Sequence, residues 1–136
     1  MLSLALTHLG VSVAEGTLDA RADAVICNFS LIGEASVEAL LRAVPGLLTP
    51  GGALLIQTLH PWTACGDAAY RDGWREGSWA GCGEGFGDAA PWYFRTMAGW
   101  LASFAAAELD LRALHEPLHP HTGQPVSVIF ELTPRD

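Results

Sequence analysis

One stretch, residues 23–62, limits what this chain can fold into because it places two apolar segments on either side of an amphipathic helix. Residues 24–29 are apolar without alternation, which is typical of a strand that is covered on both faces. Residues 53–59 have the same character. Between them, four apolar side chains are spaced to share one face of a helix: Val37, Leu40, Leu41 and Val44. The pattern predicts a strand, a helix and a second strand.

The connections in this stretch predict how the two strands are arranged. Residues 49–52 read T-P-G-G, a strong turn signal directly before the second strand. Two strands joined through a helix form a right-handed β-α-β unit in a parallel sheet. Ligands of such sheets bind at the carboxyl ends of the strands. We therefore expect a ligand site around residues 28–32 and 58–62.

Composition and charge narrow the class of protein. A chain of 136 residues is long enough for one domain with a real core. Half of the residues are hydrophobic and 16% are charged, which indicates a compact globular protein. The net charge is −8, and all seven basic residues are arginines. This acidity argues against nucleic acid as a direct partner.

The predicted location is the cytoplasm. The amino-terminal residues lack the basic start of a secretory signal, and no stretch reaches the roughly 18 uninterrupted apolar residues that span a bilayer. Three cysteines, Cys27, Cys65 and Cys82, are an odd number without close spacing. Cys27 falls inside the first core strand and is predicted to be a buried thiol. We expect a reduced protein with no membrane partner.

Two segments have weaker patterns. Residues 2–7 alternate as in a short strand, and the polar residues after them read as a connector to Asp23. Residues 63–90 are an insertion in which seven glycines (residues 66–87) alternate with four large aromatics: Tyr70, Trp74, Trp79 and Phe86. A long loop inside a compact domain is usually functional and often a lid. The alternative is a disordered insertion.

The tail predicts one more helix and two more strands. An apolar stripe supports a helix from Met97 to about Ala107, and residues 109–113 and 126–132 alternate as half-buried strands. The loop between these strands has no crossover helix, so they should be antiparallel. The whole chain, residues 1–136, is therefore predicted to be a single α/β domain. Its sheet has two parallel core strands and a C-terminal antiparallel hairpin, with helices packed on the faces.

The order of these segments resembles a known family. D-A-V-I-C-N-F-S-L-I (residues 23–32), the helix after it and L-L-T-P-G-G-A-L-L-I-Q-T-L-H-P-W (residues 47–62) are similar to the middle of class I S-adenosylmethionine (SAM)-dependent methyltransferases. W-Y-F-R-T (residues 92–96) and E-P-L-H-P (residues 116–120) resemble blocks of a bacterial subgroup of these enzymes. The resemblance covers about residues 23–132 and implies a Rossmann-like sheet.

Two departures from the family have consequences. Glu108 stands where the family has a left-handed glycine, so it should cost about 1 kcal/mol or change the helix end. The glycine-rich SAM loop that the family carries has no counterpart before Asp23. The chain thus resembles the carboxyl-terminal half of a methyltransferase, truncated at its amino-terminal side. Strand 24–29 would then be a bare apolar edge, and we expect it to pair with a second copy or a complementing chain.

The resemblance implies a cofactor and the residues that contact it. Asn28, Phe29, Ser30 and Leu31 lie where the methionine and adenine parts of SAM rest in the family. Asn28 would offer its side-chain amide, and the residues after it would form an apolar wall. The alternative is that Asn28 only bonds local backbone at the strand end.

His60 and Trp62 follow the second core strand, at the end where a methyl acceptor would approach. Methyl transfer is a direct displacement that needs in-line positioning and sometimes a base. His60 is the candidate catalytic residue, because imidazole takes up a proton near neutral pH. Trp62 would contact the acceptor. The alternative is that His60 holds its loop in place.

Trp92, Tyr93 and Arg95 are further candidates for binding the acceptor. Two aromatic surfaces beside a bidentate cation suit a small molecule with a carboxylate or phosphate. In the alternative, structural interpretation, Trp92 and Phe94 fix the start of the helix and Arg95 pairs with Glu116.

Glu116 and His119 lie in the loop between the last two strands, and the resemblance makes this loop part of the acceptor pocket. His121 lies beside them, so zinc is an alternative, but two prolines break the spacing and we expect no metal. The main hypothesis is SAM-dependent methyl transfer to a small molecule, with this chain supplying the acceptor half. A non-catalytic methyltransferase fold that acts as an interaction module is the second hypothesis, and a metal-dependent hydrolase is the third.

Overall fold

The structure, a computed structural model, describes residues 21–77 and 89–136. The strand predicted at residues 2–7 and the glycines of residues 81–87 lie outside this part of the chain. The helices are α1 (Ala35–Ala43), α2 (Pro61–Cys65) and α3 (Met97–Ala106). The strands are β1 (Ala22–Asn28), β2 (Leu48–Leu59), β3 (Gly73–Arg75), β4 (Trp92–Phe94), β5 (Leu109–His115) and β6 (Ser127–Pro134).

The main sheet has four strands in the order β1-β2-β6-β5. β1 and β2 are parallel, whereas β6 is antiparallel to both β2 and β5. The two parallel core strands and the C-terminal antiparallel hairpin are therefore confirmed. Within the described ranges, β1 pairs with β2 alone, so its outer side has no strand neighbour there.

The T-P-G-G segment is part of β2 rather than a separate turn before it. Ala22 pairs with Leu48 and Ala24 pairs with Ala53, so residues 49–52 stand opposite Asp23 alone. Gly51 has a φ of 81°, which favours glycine because it has no Cβ. The turn signal thus marks an irregularity inside a strand.

One face of the sheet carries the core. Alternate residues of β1 and β2 point to this face, where helices α1 and α3 cover them. Phe104 of α3 packs edge-on against Phe130 of β6, with ring centroids 4.9 Å apart. The buried side chains on the sheet include Val25, Cys27, Leu54, Ile56, Val128, Phe130 and Leu132. Cys27 is 4% exposed, so the predicted buried thiol is confirmed.

The opposite face of the sheet is less covered in the described part of the chain. Ile26 of β1 is 42% exposed, and Leu55 and Ile129 on the neighbouring strands are half-buried. These side chains belong to the alternate set that points away from α1 and α3. The prediction that strand 24–29 is covered on both faces is therefore wrong for the residues described.

Helix α3 starts and ends at well-defined positions. The Thr96 hydroxyl accepts a hydrogen bond from the Gly99 N–H at 2.9 Å, which caps the first turn. After α3, Glu108 has a φ of 57°. The family glycine is replaced, but the left-handed conformation that it would supply is kept.

The described part of the predicted insertion contains regular structure. β3 pairs with β4 in an antiparallel two-stranded sheet, and α2 lies before it. The Asp72 carboxylate accepts hydrogen bonds from the Thr96 N–H at 2.7 Å and from the Thr96 hydroxyl at 2.9 Å. The Tyr70 hydroxyl accepts one from the Met97 N–H at 2.9 Å. These bonds fasten residues 70–72 to the start of α3. No helix in the described ranges is long and apolar enough to cross a membrane.

Candidate functional site

The loop after β1 begins with a strained residue. Phe29 has a φ of 51°, which is unusual for an aromatic side chain, and its N–H donates to the Gln57 carbonyl at 2.8 Å. Phe29 as a whole residue is 49% exposed. Strained backbone that surrounding structure holds in place is common at binding sites. Asn28 and Ser30 on either side of Phe29 are also exposed.

Strand β4 and Arg95 hold the rest of this loop. The Tyr93 N–H donates to the Ile32 carbonyl at 2.8 Å. The Arg95 guanidinium donates to the Gly33 carbonyl at 2.8 Å and to the Glu34 carbonyl at 3.0 Å. These bonds join segments that are about sixty residues apart along the chain and fix the distance between the loop and β4.

Arg95 is enclosed rather than directed at a ligand. Its side chain is 1% exposed and reaches the Glu38 carboxylate at 3.3 Å, which also accepts from the Ser103 hydroxyl. Its guanidinium lies over the rings of Tyr93 and Trp100 at 4.8 Å and 5.1 Å. The alternative pairing of Arg95 with Glu116 is wrong, because Arg95 pairs with Glu38.

Glu116 instead bonds His60. The His60 Nε2 and the Glu116 carboxylate are 2.6 Å apart, and His60 Nδ1 accepts a hydrogen bond from the backbone N–H of Trp62 at 3.2 Å. Because Nδ1 accepts a hydrogen bond, it carries no proton. The ring proton is therefore on Nε2, which donates a hydrogen bond to the Glu116 carboxylate. Both ring nitrogens are therefore engaged, and proton uptake at Nδ1 would break the bond to Trp62. His60 is 7% exposed and caps the start of α2.

The other side chains of this loop have separate partners. His119 Nδ1 accepts from the backbone N–H of His121 at 3.1 Å. His115 faces Glu131 on β6 at 3.7 Å. Across the described residues, no three His, Cys, Asp or Glu side chains lie close enough to hold a metal ion. The metal-dependent hydrolase hypothesis gains no support from these contacts.

A cavity of about 510 Å³ lies at the carboxyl ends of β1 and β2, where the sequence predicts a ligand site. The loop after β1 forms one wall, the end of β2 and α2 form the second, and β4 with α3 forms the third. Its lining residues are Phe29, Leu31, Ile32, Thr58, Leu59, Pro61, Ala64, Gly77, Ala89, Ala90, Trp92, Tyr93, Phe94, Arg95 and Trp100. A volume of this size suits a small organic ligand.

The cavity brings together only some of the predicted site residues. Phe29, Leu31, Trp92, Tyr93 and Arg95 line it. The others, Asn28, Ser30, His60, Trp62, Glu116 and His119, are not among its lining residues.

Sequence reasoning missed several lining residues. Thr58, Leu59 and Pro61 fall within the predicted strand end but had not been singled out as site residues. Trp100 belongs to the apolar stripe of α3, and such a stripe does not reveal that its ring also faces a cavity. The pKa of Tyr93 is raised, first by burial and then by the negative charge of Glu34.

Solved structures of similar fold include the glycopeptide N-methyltransferase MtfA complexed with SAM, a SAM-dependent methyltransferase from Clostridium acetobutylicum, and the CcbJ methyltransferase from Streptomyces caelestis. Their TM-scores to this chain are 0.68, 0.67 and 0.60, at sequence identities of 13%, 7% and 18%. The fold is that of the class I SAM-dependent methyltransferases. The resemblance seen in the sequence is thereby confirmed for the architecture.

The three alignments cover 93%, 98% and 93% of this chain. In the same order they cover 59%, 70% and 62% of the other chains, so this chain spans less than two thirds of MtfA and CcbJ. No protein-family model and no curated protein matches the sequence. At these identities the likeness establishes the methyltransferase fold. Any reaction has to be argued from the residues of the site.

Proposed function

We propose that this chain supplies the acceptor half of a SAM-dependent methyltransferase that acts on a small molecule. The observation that carries the proposal is the cavity between the loop after β1 and the aromatic strand β4. It lies at the carboxyl ends of two parallel strands, in a sheet of methyltransferase architecture.

The residues after β1 fit a contact with SAM. Asn28 presents an exposed amide at the strand end, and Phe29 and Leu31 present apolar surface to the cavity. SAM, when bound, supplies an electron-poor methyl group. The chain's own residues would position the acceptor in line with that group and exclude water, two effects that accelerate such a displacement. Further contacts to SAM would come from outside the described residues or from another chain.

His60 is proposed to act mainly as a positioning residue. It caps α2 and bonds Glu116, so it holds the second wall of the cavity against the loop before β6. A role as general base would require the bond from the Trp62 N–H to Nδ1 to open first. Trp62, Glu116 and His119 would then act at the rim on larger acceptors, outside the lining of the cavity.

SAM titration of the full chain, followed by amide chemical shifts, tests the proposal. We expect saturable shifts at Asn28, Phe29 and Leu31. Asn28→Ala should weaken SAM about fivefold, which corresponds to about one hydrogen bond. Gln124→Ala, which removes an exposed amide from the loop before β6, is the matched control and should leave SAM affinity unchanged. A folded chain that shows no shifts at millimolar SAM would overturn SAM binding by this chain alone.

The second candidate function is an interaction module without catalysis. Among residues 21–77 and 89–136, the outer side of β1 has no strand neighbour, which supports this candidate because such an edge is a template for pairing with another chain. The same feature supports a homodimer or a complementing chain that pairs through residues 24–29. SAM binding that appears only after a complementing chain is added would favour the split-enzyme version of the first proposal over the module.

A further inference from the structure

The charge of the cavity limits what it can bind. Among the described lining residues, Arg95 is the one charged side chain. Its guanidinium bonds the Gly33 and Glu34 carbonyls and pairs with Glu38, and its side chain is 1% exposed. A carboxylate or phosphate placed in the cavity would find this cation already paired. Burying an anion without a partner is unfavourable, so the cavity selects against anionic ligands.

The surface of the cavity is rich in rigid aromatic rings. Phe29, Trp92, Tyr93, Phe94 and Trp100 all line it, and Trp92 meets Phe94 edge-on with ring centroids 5.9 Å apart. Aromatic walls favour an aromatic ligand, because ring pairs gain free energy beyond the area that they bury.

Besides Arg95, the described lining side chains offer two hydroxyl groups and the indole N–H donors of Trp92 and Trp100. Thr58 lies at the end of β2, and Tyr93 lies on β4 across the cavity. A phenol is neutral at physiological pH, and burial and nearby carboxylates raise the pKa of Tyr93 further, so this phenol is able to donate a hydrogen bond. A neutral hydroxyl or amine on the ligand would find hydrogen-bond partners in such groups.

We propose that the cavity binds an uncharged aromatic small molecule that carries a hydroxyl or amine, and that this molecule is the acceptor class of the chain. That the bound molecule is a methyl acceptor rests on the proposed function. The preference for an uncharged aromatic molecule rests on the cavity alone. It replaces the carboxylate- or phosphate-bearing acceptor that the sequence suggested for Arg95.

Calorimetric titration of the full chain with three matched probes tests the preference without SAM or turnover. The probes are 2-naphthol, 2-naphthoate and the saturated analogue decahydro-2-naphthol. We expect 2-naphthol to bind at least about tenfold more tightly than 2-naphthoate, because the latter buries an unpaired charge. It should also bind about threefold or more tightly than the saturated alcohol. Equal or tighter binding of 2-naphthoate would overturn the proposal, and equal binding of the saturated alcohol would overturn its aromatic part.

Two variants locate the binding. Trp92→Ala should weaken 2-naphthol about fivefold or more, whereas Leu118→Ala, which shortens an exposed apolar side chain outside the cavity, should not change it. Ala64→Phe fills the cavity without removing a wall, and it should abolish binding even if Trp92→Ala fails to fold. Unchanged 2-naphthol binding in a folded Ala64→Phe chain would place the probe elsewhere and contradict the proposal.

The outcome is independent of the SAM test. If 2-naphthol binds no better than the other probes while SAM still shifts the Asn28 and Leu31 amides, the proposed acceptor class is wrong. The proposed function is then unaffected. The naphthol preference without any SAM binding would leave a cavity for neutral aromatics in a chain that does not bind the cofactor by itself.

Discussion

Glu108 carries a backbone conformation that favours glycine. With a φ of 57°, its Cβ lies too close to backbone oxygen, at a cost of roughly 1–2 kcal/mol. The position is fixed from both sides, because the Glu108 N–H donates to the Ala105 carbonyl and the Glu108 carbonyl accepts from the Arg135 N–H. The strain that the sequence predicts at this residue therefore lies in the φ angle of Glu108.

Replacing this residue should release the strain. Glu108→Gly is expected to raise the free energy of unfolding by about 1 kcal/mol in chemical denaturation. Glu76→Gly makes the same exchange at an exposed residue without positive φ, and it should not stabilise the chain. Equal effects of the two variants would show that the gain does not come from the left-handed conformation.

Cys27 should make stability fall at alkaline pH. Burial raises the pKa of its thiol above the ordinary value of 9.0, so the unfolded chain loses this proton first. The stabilisation is therefore complete below pH 9 and is lost as pH rises towards the folded pKa, with a slope of at most about 1.4 kcal/mol per pH unit. Between about pH 9 and pH 10, the free energy of unfolding should fall with this slope in Cys65→Ala but not in Cys27→Ala. A slope that survives in Cys27→Ala would assign it to another group.

The partners of single polar side chains were the hardest feature to predict from the sequence. Arg95 reads as a free bidentate cation, and only the folded chain shows that the Gly33 and Glu34 carbonyls take its donors. His60 and Glu116 are 56 residues apart, so no local spacing indicates their bond. Such pairings depend on tertiary contacts, which periodicity does not encode.

The regular elements, in contrast, follow from local pattern. α1 and α3 lie where the apolar stripes predict them, and the β5–β6 hairpin follows from the absence of a crossover helix. β3 and β4 were missed because strands of three residues are too short to show alternation. The T-P-G-G signal was misassigned because an irregular parallel ladder accommodates the same residues as a turn.

The start of α3 depends on Asp72, which lies in another segment and holds the cap residue Thr96 in place. Asp72 accepts two hydrogen bonds from Thr96, so Asp72→Ala should lower the free energy of unfolding by about 1–2 kcal/mol. Amide exchange at the first turn of α3 should speed up more than exchange in β2. Asp67→Ala removes an exposed carboxylate from the same segment and should change neither quantity. Protection in the first turn that is unchanged by Asp72→Ala would contradict this role of Asp72.

Arg95 connects α3 and β4 to the loop after β1. Arg95→Lys keeps the charge but loses the planar fork, so buried carbonyls are left without donors. We expect a loss of about 2–4 kcal/mol in the free energy of unfolding. We also expect shifted Phe29 and Leu31 resonances. Arg42→Lys, at an exposed position of α1, should stay within about 0.5 kcal/mol of the original chain. If Arg95→Lys left the free energy of unfolding unchanged, the loop would be held by other contacts.

For the molecule as a whole, the outer side of β1 is where association should occur. Ile26 is 42% exposed on a strand whose outer side has no partner in the described ranges, so Ile26→Lys should oppose pairing with a second strand. Analytical ultracentrifugation should show concentration-dependent dimers for the original chain and monomers for Ile26→Lys. Leu118→Lys puts the same charge at an exposed apolar position elsewhere and should leave the dimer intact. A monomer at every concentration, without a complementing chain, would count against the homodimer.

The central place of β2 also determines when this chain is able to fold during synthesis. β2 needs β6 on its antiparallel side, and the Gln57 side chain on β2 donates a hydrogen bond to the Ser127 hydroxyl on β6, 70 positions later in the chain. Leu54 and Ile56 therefore leave the ribosome long before Phe130 is available to cover them. Until then the nascent chain exposes apolar side chains that later form the core, so chaperone binding during synthesis should raise its yield.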